Sequence, residues 1–109
     1  METASNKRES FGEILQGNTP VLVDFFAEWC GPCRLMKPVL EELHQRMGDK
    51  VRILKIDIDK SPALADSLNI HSVPTLMLFQ NGRSLWRQSG VVQASPLEKI
   101  IQQHITNQP

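Results

Sequence analysis

The chain has 109 residues, which is enough for one hydrophobic core and too few for two. Its composition, 40% hydrophobic and 22% charged, excludes the disordered, collagenous and low-complexity classes of protein. Twelve basic side chains balance twelve acidic ones, and no stripe of Lys and Arg stands out, which argues against a nucleic-acid binder.

The N-terminal segment, residues 1–9, is polar and lacks the apolar stretch of about 7 to 15 residues that marks a secretory signal, so we expect a cytoplasmic protein. Apolar runs such as residues 76–79 are far shorter than the roughly 18 residues that span a bilayer, which excludes membrane insertion. We expect a single domain over residues 10–107.

The first predicted elements are a short helix and a buried strand. Ser10 and Glu13 form a capping box, and Gly17 lies where the end of that helix is expected. Residues 21–26 are apolar except for Asp24, a pattern typical of a central strand that is buried on both faces.

A helix, a strand and another helix follow. Residues 33–47 carry apolar side chains at helical spacing and end at Gly48, which predicts the second helix. The β-branched residues 51–58 predict a strand that the crossover makes parallel to the first. Ser61 and Pro62 are typical of the first positions of a third helix.

The last elements predict a hairpin and a helix. Residues 75–80 predict a strand, and the turn signal Asn81-Gly82 predicts that residues 83–89 return antiparallel to it. A second capping box over residues 95–98 opens the last helix. This order of elements predicts an α/β fold in which helices cover both faces of a mixed sheet.

Cys30 and Cys33 are the only cysteines, and they follow the first central strand at the edge of the sheet where ligand chemistry is expected. A disulfide across so short a loop would contribute only about 2 kcal/mol, so it is a poor structural staple. At a helix N-terminus, however, Cys30 is favoured as a thiolate. Cys30 would then attack a disulfide, and Cys33 would resolve the mixed disulfide without any cofactor.

Two other interpretations of the cysteine pair are weaker. Inert buried thiols are disfavoured because the pair stands at the start of a helix. A structural zinc site needs four ligands, but there is no second Cys pair, and His44, His71 and His104 lack the usual ligand spacing, so no metal is expected.

Asp24 interrupts a continuous apolar run, which favours burial over a solvent-facing position. Burial would raise the pKa of its carboxyl group and suit it to take the proton from Cys33, directly or through a water. Lys55 either pairs with Asp24 and tempers that shift or is an ordinary solvated strand lysine.

Residues 23–33, VDFFAEWCGPC, resemble the active-site segment of the thioredoxin family. The resemblance extends over roughly residues 10 to 105, and its further matches are Pro38, Lys55, residues 73–75, Asn81-Gly82 and Gly90. It implies a thioredoxin fold with a central mixed sheet of four or five strands. It also implies that Cys30 is the exposed nucleophile, that Cys33 is the buried resolving thiol, and that Gly31-Pro32 tunes the pair toward reduction.

The resemblance further implies a groove for an extended substrate. Trp29 would flank the site, although a core aromatic is the alternative, and Gly31-Pro32 would also contact substrate. Pro74 would be cis and pack against the dithiol, although most X–Pro bonds are trans. The Val73 backbone would pair with the substrate in a groove that Gly90 completes.

Two features depart from the family pattern. Residues 2–7 show no apolar alternation, so the family's first strand is expected to be short, irregular or absent. Phe26 stands where many thioredoxins have a second tryptophan, and Trp86 lies instead on the hairpin. Neither departure changes the two cysteines.

The resemblance therefore implies a cytosolic, monomeric protein-disulfide reductase that maintains protein thiols and donates electrons to target enzymes. An NADPH-dependent thioredoxin reductase would recharge it, and the chain itself would bind no cofactor. An oxidase or isomerase, which usually has another dipeptide between its cysteines, is the first alternative. A binding subunit that uses the rim around Trp29, Val73 and Gly90 is the second.

Overall fold

The computed structural model describes residues 2–3 and 10–105. In chain order the elements are β1 (Glu2–Thr3), α1 (Phe11–Leu15), β2 (Val21–Phe26), α2 (Gly31–Met47), a 3₁₀ turn (Gly48–Lys50), β3 (Arg52–Asp57), α3 (Pro62–Ser67), β4 (Thr75–Gln80), β5 (Arg83–Ser89) and α4 (Ala94–His104). Among these residues, no helix has the length and apolar character needed to cross a membrane.

The strands form one five-stranded mixed sheet in the order β1-β3-β2-β4-β5. β2 is parallel to β3 and antiparallel to β4, and β5 returns antiparallel to β4. The predicted α/β fold with a mixed sheet is therefore confirmed. β1 is a two-residue strand that pairs parallel with β3, and residues 4–9 and 106–107 of the predicted units lie outside the described residues.

Each face of the sheet has its own hydrophobic cluster, which confirms that helices cover both faces. α2 and α4 pack on one face, against Leu22 of β2 among others. α1 and α3 pack on the other face, against Val23 and Phe25. Since side chains alternate along a strand, Asp24 faces the same side as Leu22, beneath α2.

Of the two capping boxes predicted from the sequence, the structure confirms the first and contradicts the second. The Glu13 N–H donates to Ser10 Oγ at 3.1 Å, which confirms the first cap. The second capping box is wrong, because α4 begins at Ala94 after Gln93 and the predicted cap Ser95 lies inside the helix. Ala94 is buried in the core beneath α4, so tertiary packing extends the helix by two residues.

The hairpin turn between β4 and β5 forms as predicted. Asn81 and Gly82 have φ values of 53° and 76°, the left-handed conformation that a two-residue hairpin turn requires. The Gly82 N–H donates to Leu15 O at 2.7 Å, and the Asn81 N–H donates to Gly17 O at 3.0 Å. These bonds fasten the turn to the end of α1.

We expect Gly82→Ala to lower the free energy of unfolding by about 1–2 kcal/mol, because an L side chain is strained at this φ. A Cβ there would also stand 2.9 Å from Gln16 Oε1. Gly12→Ala is the matched control: this glycine lies inside α1 with open space around it, so the change should stabilise by roughly 0.5–1 kcal/mol. Urea unfolding of both variants measures the two effects. If both changes lowered the free energy of unfolding, or both raised it, the explanation from the backbone conformation would be wrong.

Candidate active site

Cys30 and Cys33 are joined by a disulfide at the N-terminus of α2, with Cα atoms 5.4 Å apart. Cys30 is the N-cap of the helix, and its Sγ accepts the Cys33 N–H at 3.2 Å. Once the disulfide is reduced, this N–H and the helix dipole both stabilise negative charge on Cys30 Sγ. The local geometry therefore favours a thiolate at Cys30.

The loop before β4 stands beside the disulfide. The Val73–Pro74 peptide bond is cis, and Val73 O lies 3.6 Å from Cys30 Sγ. The Gly90 N–H donates to Pro74 O at 2.8 Å, which joins the end of β5 to this loop. The structure thus brings Val73, Pro74 and Gly90 together next to Cys30.

Trp29 precedes the disulfide and is 69% exposed, so it is a surface residue rather than a core aromatic. Its indole Nε1–H donates to Asp59 Oδ2 at 2.8 Å. Sequence reasoning did not single out Asp59, although one signal was available. Asp59 follows β3, and the carboxyl ends of β2 and β3 meet at the same edge of the sheet because the two strands are parallel.

Asp24 is fully buried, and neither of its carboxylate oxygens has a hydrogen-bond partner among the described residues. Burial raises the pKa of Asp24 from 3.8 to about 6, and the nearby charge of Lys55 offsets part of that rise. Lys55 is the register partner of Asp24 on β3, and its Nζ lies 4.9 Å from the centre of the Phe26 ring. Lys55 is therefore half-buried beside Asp24 rather than freely solvated.

A cavity of about 240 Å³ adjoins Cys33. Its lining residues come from the end of β2, the start of α2 and β3: Phe26, Ala27, Glu28, Cys33, Arg34, Lys37 and Lys55. Three of these side chains are cationic and one is acidic. The cavity thus places a positively charged, open space between solvent and the Cys33 side of the disulfide.

The family model for thioredoxin matches residues 2–103 of the chain. The chain belongs to the thioredoxin family. It is 46% identical over 94 residues to a thioredoxin-like protein of Synechocystis sp., covering 85% of this chain and 90% of that protein. It is 40% identical over 93 residues to Thioredoxin 1 of Synechococcus elongatus, covering 85% of this chain and 87% of that protein.

Solved structures agree with this kinship. A mutant thioredoxin from Halobacterium salinarum superposes with a TM-score of 0.83 at 30% sequence identity, covering 100% of this chain and 93% of that chain. The thioredoxin fold expected from the sequence is therefore confirmed. Family membership and the Cys30–Cys33 pair together make this protein a thiol-disulfide oxidoreductase.

One expectation about this thioredoxin site is wrong in the disulfide form. Cys30, expected to be exposed, is buried and only 4% exposed, whereas Cys33 is buried as expected and 8% exposed. Both residues are enclosed because Ala27 packs with them and Phe26, Ile58 and Val73 close the cluster. The two sulfurs differ instead in their contacts, since Cys30 Sγ is the one that accepts the helix N–H and approaches Val73 O.

Gly31 and Pro32 form the exposed first turn of α2 between the two cysteines. A Cβ added at Gly31 would meet nothing within 4 Å. The dipeptide is therefore exposed beside Cys30, with open space at Gly31. Trp86, the second tryptophan, packs instead against the hydrophobic cluster beneath α2 and α4.

Proposed function

We propose that the chain is a cytoplasmic protein-disulfide reductase that maintains protein thiols and donates electrons to target enzymes. The observation that carries the proposal is Cys30 Sγ at the N-cap of α2, where it accepts the Cys33 N–H. That position stabilises the thiolate that must attack. An NADPH-dependent thioredoxin reductase would return the disulfide to the dithiol, and the chain would act as a monomer without a bound cofactor.

The reaction has two exchange steps. The Cys30 thiolate attacks one sulfur of the substrate disulfide, so that an S–S bond forms with Cys30 and the substrate releases its other sulfur as a thiolate. Cys33 then loses its proton and attacks Cys30 Sγ, which expels the second substrate sulfur. Two electrons pass to the substrate, and the chain is left with the Cys30–Cys33 disulfide.

Asp24 is the proposed base for Cys33. It lies beneath α2, and its raised pKa lets a carboxylate near neutral pH accept a proton. Lys55 is proposed to moderate its charge. The cavity beside Cys33 is also lined by Lys55, the register partner of Asp24, and offers a path by which the proton reaches solvent.

Substrate is proposed to lie along Val73 as an extended segment. Val73 precedes β4, and among the described residues its N–H has no backbone partner, so an incoming strand could pair with it. Trp29, Gly31 and Pro32 would flank the scissile disulfide on one side, and Pro74 and Gly90 would complete the groove on the other.

The reduction potential of the Cys30/Cys33 couple tests the direction of electron flow. We expect about −270 mV on equilibration against a defined thiol buffer, where each 30 mV is worth about 1.4 kcal/mol. A value above about −200 mV would favour the oxidase or isomerase alternative. The double variant Cys30→Ser/Cys33→Ser should lose all reduction of insulin disulfides, and retention of its cellular role would favour the binding-subunit alternative.

A further inference from the structure

The end of β5 holds the loop that carries Val73 and Pro74. The Arg87 guanidinium donates to two main-chain carbonyls at the end of α3, those of Leu68 and Asn69. This side chain therefore caps the C-terminal end of α3, where carbonyl groups lack helical partners. Among the described residues, Arg87 makes no ion pair that would draw it elsewhere.

Three hydroxyl groups hold the other end of the same loop. Thr75 Oγ1 donates to Ser72 O at 2.7 Å and lies 3.0 Å from Ser89 Oγ. Ser72 Oγ donates to Ser89 Oγ at 3.2 Å. Ser89 thus joins β5 to the residue before Val73 and to the first residue of β4.

Arg87 and Ser89 act on the loop from one face of β5. They are two residues apart, so their side chains point to the same side of the strand. Thr75 pairs directly with Ser89 in the β4–β5 register. One strand face therefore contacts the loop at its start, through Arg87, and at its end, through Ser89.

Apolar contacts hold part of the loop, since Leu68 and Ile70 pack in one core cluster and Val73 packs against the two cysteines. Between Leu68 and Pro74, only Ile70 and Pro74 are buried. Val73 O nevertheless lies 3.6 Å from Cys30 Sγ, so a small displacement of the loop would move the backbone edge away from the reacting sulfur. The polar contacts from β5 add to these apolar contacts in holding the loop in place.

We propose that Arg87 and Ser89 are positioning residues that hold the Val73 backbone ready to pair with a polypeptide next to Cys30. The inference rests on the proposed function, because it concerns how that site recognises an extended substrate. Preorganising the edge lowers the ordering cost of strand pairing. A small disulfide without a peptide backbone gains nothing from it.

The test compares two substrates in single turnover. Reduced protein is mixed with insulin or with bis(2-hydroxyethyl) disulfide, and the second-order rate constant is measured for each. Arg87→Ala/Ser89→Ala should lower the rate constant for insulin roughly fivefold, the effect of losing a few exposed hydrogen bonds, and leave that for the small disulfide unchanged. Ser89→Thr keeps the hydroxyl group, so the part of the loss on insulin that comes from Ser89→Ala should not occur in this variant.

Arg83→Ala and Ser84→Ala are the matched controls. Both residues are exposed on β5, and their side chains make no hydrogen bond or ion pair to another described residue. They should leave both rate constants unchanged. The single variant Ser89→Ala, with amide hydrogen exchange at residues 70–73 as its readout, keeps the test within a folded protein if the double variant unfolds.

The outcomes separate the two proposals. Faster exchange at residues 70–73 with a selective loss on insulin supports the positioning role. Equal losses on both substrates, or an unchanged ratio of the two rate constants, overturn that role and leave the reductase proposal standing. An unaltered protein that reduces the small disulfide but not insulin overturns both.

Discussion

Cys33→Ser should stop turnover and leave Cys30 bound to its substrate in a mixed disulfide. Cys30 keeps its position at the N-cap of α2, so its attack remains possible. The second exchange is lost, because no sulfur stands next to Cys30 Sγ to expel the bound substrate. We expect turnover to fall by at least about 10³-fold, since a positioned intramolecular thiol acts at a very high effective concentration.

Non-reducing electrophoresis and intact mass measure the adduct after Cys33→Ser protein is incubated with a disulfide substrate. Cys30→Ser is the matched control and should give no adduct, because Cys33 lacks the N-cap contact that stabilises a thiolate. An adduct through Cys33 in the Cys30→Ser protein, as abundant as that in Cys33→Ser, would reverse the assigned order of attack.

Features set by neighbours along the chain were predictable from the sequence. Cys30 stands at a helix N-cap because an apolar strand precedes it and Gly31-Pro32 opens the helix. Asp24 is buried because it lies within the continuous apolar run of β2. The Asn81-Gly82 hairpin formed for an equally local reason, since both residues tolerate the left-handed conformation.

Features that depend on distant segments were not predictable in this way. The Trp29–Asp59 hydrogen bond joins residues thirty positions apart, and the Arg87 contacts with Leu68 and Asn69 join a strand to the end of a helix. Each depends on side-chain directions that only the assembled sheet determines. The start of α4 was missed for a related reason, because burial of Ala94 outweighed the local capping signal.

The active site likewise has a part set by chain neighbours and a part set by distant segments. The two cysteines and the proposed base Asp24 lie within one short stretch of sequence, formed by β2 and the first turn of α2. The proposed recognition surface adds to Trp29, Gly31 and Pro32 of that stretch the segment before β4 and Gly90 after β5. Local patterns can therefore identify the reaction, while substrate selection depends on contacts that only the fold creates.

The stability of Asp24→Asn relative to the unaltered protein should grow by about 3 kcal/mol between pH 4 and neutral pH. The pKa of Asp24 is about 6 in the folded protein against 3.8 for the free side chain, so between these values the folded state holds a proton that the unfolded state has lost. The stability of the unaltered protein therefore falls as pH rises from about 4 to about 6. Above this range the ionisation of Asp24 lowers the stability no further. The asparagine variant lacks that decline.

Urea unfolding at pH 4, 6 and 8 measures the difference, which should be near zero at the lowest pH and largest at the highest. Asp66→Asn, an exposed carboxylate on α3, is the control and should show no such growth. The same Asp24→Asn protein should resolve mixed disulfides more slowly at neutral pH, because it cannot take the proton from Cys33. A stabilised variant with unchanged resolution from pH 6 to 9 would leave Asp24 as a buried charge with no part in catalysis.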